Sequence, residues 1–178
     1  MTAELRIDAS EILQLSRAID NLPGQIKAKA MASAMRRMRD MARTRIVKRS
    51  AERTDLPTRK VAAITKAFFN AGGNTVDIIE KSGWISLYDL GATQNAKGVR
   101  VRARGSYRSA FIAEMGSGHR GVMKRVGKER LPIRELFGPN PAHDVTNNPD
   151  EFLKVLSELI EDHLAPRLLH EIDRLLPR

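Results

Sequence analysis

Cysteine is absent from the 178-residue sequence, which excludes a disulfide framework, a thiol nucleophile and cysteine-based zinc or iron–sulfur sites, and fits a reducing compartment. Aromatic residues are scarce at 4%, so Leu, Ile, Val, Ala and Met must fill whatever core the 42% apolar content builds. Stacking on nucleic-acid bases is correspondingly thin, with only Tyr107 and Phe111 interleaved among basic residues. No stretch reaches the ~18 consecutive apolar residues of a membrane span, and the polar N-terminus has no apolar run resembling a signal peptide. A soluble cytoplasmic product of one domain, or one domain plus a helical arm, is expected.

Groups for catalysis or metal binding are equally sparse. His119 lies in a Gly-Ser-Gly-His-Arg-Gly loop and His143 in a Pro/Asn-rich stretch. His163 and His170 stand seven residues apart on one expected helix, two turns from each other and too distant to share a metal unaided. Gly116 to Gly121 lacks the Lys and the following helix of a phosphate-binding loop, so its glycines read as turn residues. No catalytic residue, no metal site and no cofactor is expected. An enzyme acting on nucleic acid would need a convergent set that this sequence does not offer.

What the sequence does have is positive charge, unevenly placed. The net charge is +10. Residues 36–49 hold seven Lys or Arg against one Asp, and residues 99–134 hold ten against two Glu. From 150 to 178 the balance reverses, with seven acidic residues against four basic ones. Such asymmetry suits sequence-independent nucleic-acid binding, and equally suits head-to-tail assembly in which one copy's basic belt meets the next copy's acidic end. Charge alone does not choose.

Hydrophobic periodicity predicts a short helix over residues 10–20 and a long one from Pro23 to about Arg49. On the long helix Ile26, Ala30, Ala34, Met38, Met41 and Ile46 form a stripe, with Met31 and Met35 beside it; core packing and an intersubunit seam are both open to so Met-rich a face. A further helix should begin near Asp55 and Pro57 and run through Phe69 to Gly72. Two short strands, at Val76–Ile78 and Trp84–Leu87, should flank a turn at 81–83, and 91–98 reads as a loop. Val99, Val101 and Ala103 alternate with Arg100, Arg102 and Arg104 as a strand with one basic face. Residues 110–115 and 121–126 read as two more strands. A closing helix should span 151–176, with Phe152, Leu156, Leu159, His163, Leu168, Ile172 and Leu175 near one face and Pro166 kinking or restarting it.

The expected fold is therefore α+β: a long N-terminal helix and shorter helices packed on a small antiparallel sheet, followed by a C-terminal helix. The expected organisation is an α+β domain over 1–140, a Pro/Asn-rich linker over 141–150, and the C-terminal helix over 151–178.

Three runs carry a family resemblance: Phe111-Ile-Ala-Glu-Met115, then Gly118 through Ile133, then Glu135-Leu-Phe-Gly-Pro139. They resemble the minor tail protein Z family of long-tailed phages, in which a Phe-Ile-Ala strand enters a turn and leads to a Val-x-x-Arg-x-Gly-Lys-x-Arg-x-Pro-Ile stretch. Phe111, Ile112, Val122, Arg125, Gly127, Lys128, Arg130, Pro132 and Ile133 match that pattern. The motif covers about 30 residues, and the layout of helices covers nearly the whole chain. The resemblance implies a non-enzymatic virion protein of the tail neck, made in the bacterial host cytoplasm, that completes the head-proximal end of the tail and supports head–tail joining. It implies self-assembly as a ring of six copies, with tail-terminator, tail-tube or head–tail connector proteins as neighbours and phage DNA in the channel as a further contact; no membrane is involved. The expected assembly surface or DNA contact comprises Arg100, Arg102, Arg104, Arg108, Arg120, Lys124, Arg125, Lys128 and Arg130. A sequence-independent nucleic-acid-binding protein is the alternative.

Overall fold

A helix of 31 residues, α1 (Gly24–Thr54), organises the fold seen in the computed structural model, which describes residues 2–8, 23–72, 74–102 and 104–176. Ala, Met, Arg and Lys are strong helix formers, and no Gly or Pro interrupts α1 after Gly24. Ala30, Met31, Ala34, Met35, Met38, Ala42 and Ile46 are buried along one side. The Met-rich face is thus core. The helix ends where Asp55 adopts a left-handed conformation (φ 52°) and the Leu56 amide bonds back to the Ala51 carbonyl at 3.0 Å, a Schellman-type closure. The predicted helix over 10–20 lies outside the described residues.

The other elements follow in order: β1 (Thr2–Asp8) precedes α1; after it come α2 (Thr58–Ile64), β2 (Thr65–Asn70) and β3 (Thr75–Lys81). Next are a 3-10 turn at Tyr88–Leu90 and six short strands, β4 (Ala92–Asn95), β5 (Gly98–Val101), β6 (Gly105–Arg108), β7 (Ala110–Glu114), β8 (Arg120–Arg125) and β9 (Ile133–Glu135). Two helices, α3 (Pro141–Asn147) and α4 (Pro149–Leu175), complete the chain. The strands form three antiparallel three-stranded sheets, ordered β1-β3-β2, β4-β5-β6 and β7-β8-β9. The class is α+β, as expected.

Two cores share α1. In the first, residues 30–46 of α1 pack with Val76 and Ile78 of β3, Ala142 and Val145 of α3, and Phe152, Leu156, Leu159, Leu164, Leu168 and Ile172 of α4. Helices α1 and α4 run antiparallel, pinned by Arg49–Glu151 at one end and by a Ser33–Glu171 hydrogen bond at the other. In the second core, Val47 and Ala51 of α1 meet Leu56, Val61, Leu87, Leu90, Val99, Val101, Ala110 and Val122. The two smaller sheets are tied across their edges, where Gln94 accepts the Ile112 amide at 2.8 Å.

Several sequence expectations are corrected. The helix predicted to run from Asp55 to Gly72 stops at Ile64, and Thr65–Asn70 is instead β2, paired with β3 from Thr65↔Glu80 to Asn70↔Thr75. Apolar residues three and four apart mimic a helix there, but strand pairing with a fully engaged neighbour prevails over so weak a local signal. Lys81 of the predicted turn at 81–83 ends β3, and the rest of that turn and the predicted strand at Trp84–Leu87 are replaced by an irregular stretch, in which Ser86 makes a single bridge to Phe137. The predicted loop at 91–98 contains β4, an edge strand whose outer residues are exposed, so no apolar alternation marks it. The predicted strand over 99–104 ends at Val101, and the Arg104 amide closes a turn onto the Val101 carbonyl at 3.2 Å before β6. Residues 141–147 of the expected linker are α3, which begins at a buried Pro141 and packs Ala142 and Val145 in the first core. Helix α4 is continuous through Pro166.

Candidate functional site

Much of the basic charge is consumed inside the chain. From the 36–49 run, Arg43 donates to the Ala62 and Thr65 carbonyls at 2.7 and 3.0 Å. Arg45 meets His163 at 2.8 Å, Arg49 pairs with Glu151, and Arg36 lies over the Phe69 ring at 5.9 Å. The hydrogen bond from Arg49 holds the Glu151 carboxyl below its ordinary range. Arg53 makes a bidentate bond to Asp144 at 2.8 and 3.0 Å, and that bond holds its own pKa above the ordinary value. A continuous phosphate-binding stripe along α1 is therefore not what these residues form.

The nine cations predicted at an assembly surface separate into three groups. Arg104 and Arg120 are committed internally: Arg104 donates to the carbonyls of Thr54 and Asp55, while Arg120 bonds Tyr88 and pairs with Glu114 at 2.7 Å, contacts that raise its pKa. Arg100 and Arg108 share the outward face of β4-β5-β6. The register sets Arg100 opposite Thr93 and Ser106, and Arg108 opposite Gly98, so the two stand diagonally across adjacent strands. Both are exposed, and Arg102 lies at the rim, where with Arg100 it lines a shallow depression beside Gly91, Thr93 and Gly105.

The third group surrounds the β8–β9 connection. Lys124 is half-buried in β8 between Ala110 and Arg134, and Arg125 lies over the Phe111 ring at 5.5 Å. Beyond it, residues 126–132 form an arm closed at its base by the Val126 amide on the Pro132 carbonyl at 3.0 Å. Every residue of the arm is exposed, including Lys128 and Arg130. Val126 and Leu131 are 61% and 67% exposed, although both are apolar. Of the family-motif residues, Gly127 and Pro132 belong to this arm, Ile133 opens β9 opposite Arg125, Phe111 sits beneath Arg125, and Ile112 packs on the second core.

Sequence reading found the arm's cations but missed its exposed apolar pair; the signal was available in the Val-Gly-Lys-Glu-Arg-Leu-Pro string, where two aliphatics bracket charges within a turn. It also missed Ser86 and Glu135. Glu135, 15% exposed at its side chain, accepts from Ser86 Oγ at 3.0 Å and meets His119 Nε2 at 2.8 Å. The serine and the imidazole address different oxygens of one carboxylate, which is unlike a nucleophile relay, where the imidazole stands between the other two groups. His143 packs edge-on against Trp84, with ring centres 5.7 Å apart. Among the described residues no cluster of three or more His, Asp or Glu could hold a metal ion, and no helix is long and apolar enough to cross a membrane.

Two carboxylates are buried among the described residues. Glu80, 2% exposed, accepts from Ser50 Oγ at 3.1 Å and lies 3.4 Å from Thr65 Oγ1; burial pushes its pKa up to about 7, against the lowering effect of those hydroxyls. Burial also acts to raise the pKa of Glu171, but the Ser33 hydrogen bond and the nearby Arg174 and Arg167, at 2.8 and 2.6 Å, hold it below its ordinary range. Both sit between packed elements rather than in a cleft. No family model matches the chain, and no curated protein or solved structure matches it.

Proposed function

We propose that the protein is a non-catalytic structural component of a phage virion, completing the head-proximal end of a tail as a ring of copies and supporting head–tail joining. The observation that carries this reading is the arm: the Gly-Lys-x-Arg-x-Pro stretch of the family resemblance is an exposed loop with exposed aliphatics, and its cations have no ion-pair partner among the described residues. Conspicuous apolar exposure beside unpaired charge is the composition of a surface made for another macromolecule. The second support is the arrangement at Glu135, whose carboxylate takes both Ser86 and His119 on separate oxygens.

The test is genetic. Phage carrying Arg125→Glu and Lys128→Glu should produce tails of normal length that fail to join heads, visible as separated heads and tails in electron micrographs. Normal infectivity with both changes would overturn the reading.

Nucleic-acid binding without sequence preference is a second reading, favoured by Arg100 and Arg108, which face outward together beside Thr93 and Ser106 with no ion-pair partner among the described residues. It requires duplex affinity that falls steeply with salt and weakens in an Arg100→Glu, Arg108→Glu variant. Absence of duplex binding at low salt removes it.

A further inference from the structure

Two surfaces of the chain are partly apolar, carry opposite charge, and are left open. One is the arm over 126–132, with Lys128, Glu129 and Arg130, net positive, between the exposed Val126 and Leu131. The other is the outer face of α4. There Glu158, Asp162, Ala165, Leu169 and Asp173 recur at intervals of three and four residues, which places them in one stripe along the helix, and Leu176 follows just past its end. All six are exposed; Leu169 is 55% exposed and Leu176 38%. None of the three acids has an ion-pair partner among the described residues. Lys154 stands one turn ahead of Glu158 and leaves the stripe net negative, while Arg174 is held by Glu171.

The stripe exists because the buried positions of α4 step around the helix. Phe152, Leu156 and Leu159 face inward on the first half, and Leu164, Leu168, Glu171 and Ile172 on the second, so the step from Leu159 to Leu164 is five positions where three or four would continue one line. The outer line from Glu158 to Asp173 remains exposed along the helix.

We infer that the arm of one copy docks on the outer face of α4 of the next copy, with Val126 and Leu131 against Leu169 and the adjoining Ala165, and with Lys128 and Arg130 set among Glu158, Asp162 and Asp173. This rests on the reading of the protein as a self-assembling component and names the two surfaces that meet. The contact is heterologous: a copy that offers its arm keeps its own α4 face open for another, so the same contact repeats and closes as a ring when the rotation permits. Apolar contact supplies the attraction, and opposed charge selects the register and suppresses arm-to-arm or helix-to-helix pairing.

The absence of cysteine makes the test direct. Leu131→Cys and Leu169→Cys proteins, purified separately, are mixed under mild oxidation with circular dichroism as a check on folding. The expected product is a mixed dimer joining position 131 of one chain to position 169 of the other, in excess over either same-variant dimer. Adding Lys128→Glu and Arg130→Glu to the first protein should reduce its yield roughly tenfold, as two exposed charge pairs at a contact rim imply. Adding Glu158→Lys and Asp162→Lys to the second should restore it. Same-variant dimers in excess, or a yield indifferent to the charge reversals, overturn the inference. So does loss of duplex DNA binding on Lys128→Glu and Arg130→Glu without any mixed dimer, which assigns the arm to nucleic acid. The cross-link is read on purified protein and head joining on phage, so either result can fail while the other stands.

Discussion

The guanidinium of Arg104 donates to the carbonyl oxygen of Thr54, the last residue of α1, and to that of Asp55 at 3.0 Å. A helix leaves its last carbonyls without intrahelical partners and concentrates partial negative charge there. The chain-reversal bond takes the Ala51 carbonyl, and Arg104, arriving from the β5–β6 turn, takes the last of the others, that of Thr54, together with the carbonyl of Asp55 just beyond the helix. This side chain therefore joins the second core's sheet to the end of the helix that runs through both cores.

Arg104→Ala should lower the unfolding free energy by about 1–3 kcal/mol, because charge-assisted bonds to helix-terminal carbonyls are lost. Arg100→Ala, two strand positions before the turn and fully outward, should change it by less than about 0.5 kcal/mol. Urea titrations of both variants check this; equal midpoints for the two would refute the capping role.

Gly98 holds φ at +147°, and a methyl group there would lie 2.2 Å from the Tyr107 carbonyl oxygen and 3.0 Å from the Ser109 nitrogen. Both obstacles are backbone, one in the paired strand β6 and one in the residue just after it, so no side-chain movement relieves them. Gly98→Ala should cost roughly 2–4 kcal/mol through combined strain and clash. Gly127→Ala is the control, since its methyl would meet nothing within 4 Å. Thermal melts of the pair should separate clearly, with Gly127→Ala near the parent.

Glu80 makes stability depend on pH in a sense opposite to most carboxylates. Its folded pKa, about 7, lies above the unfolded value near 4.5, so the folded state retains the proton longer. Its favourable contribution is complete below about 4.5 and is lost as pH rises through 7. Glu171, held low, has the opposite sign and loses its contribution as pH falls below the ordinary carboxylate range. Glu80→Gln keeps an acceptor for Ser50 and Thr65 without the charge, and should be more stable than the parent at pH 8 by up to about 3 kcal/mol. That advantage should vanish near pH 4. An unchanging difference across denaturant titrations from pH 4 to 8 would show that Glu80 does not titrate in this window.

The long helices were legible because α1 and α4 carry apolar residues at the helical period over many turns, which no strand can reproduce. The strands β7 and β8 and the turn between them were legible from Phe111-Ile112, Val122-Met123 and the intervening glycines. Strand β1, seven residues long and paired with β3, was not, and neither were strands β2, β4, β6 and β9. Each of these four is three to six residues long, and each owes its conformation to a neighbour's free hydrogen-bonding edge rather than to its own pattern.

The same division runs through the candidate surface. Which residues are cationic, and that the arm carries Gly-Lys-x-Arg-Leu-Pro, are properties of the sequence alone, as are the absence of thiol chemistry and the acidic bias of the last helix. Which cations remain free is a tertiary property. Arg43, Arg49 and Arg104 are spent on carbonyls and a carboxylate brought to them by distant segments, whereas Lys128 and Arg130 stay open because the β8–β9 connection leaves the body of the protein. Charge is written residue by residue, but its availability depends on where the fold places opposite charge and unpaired carbonyls.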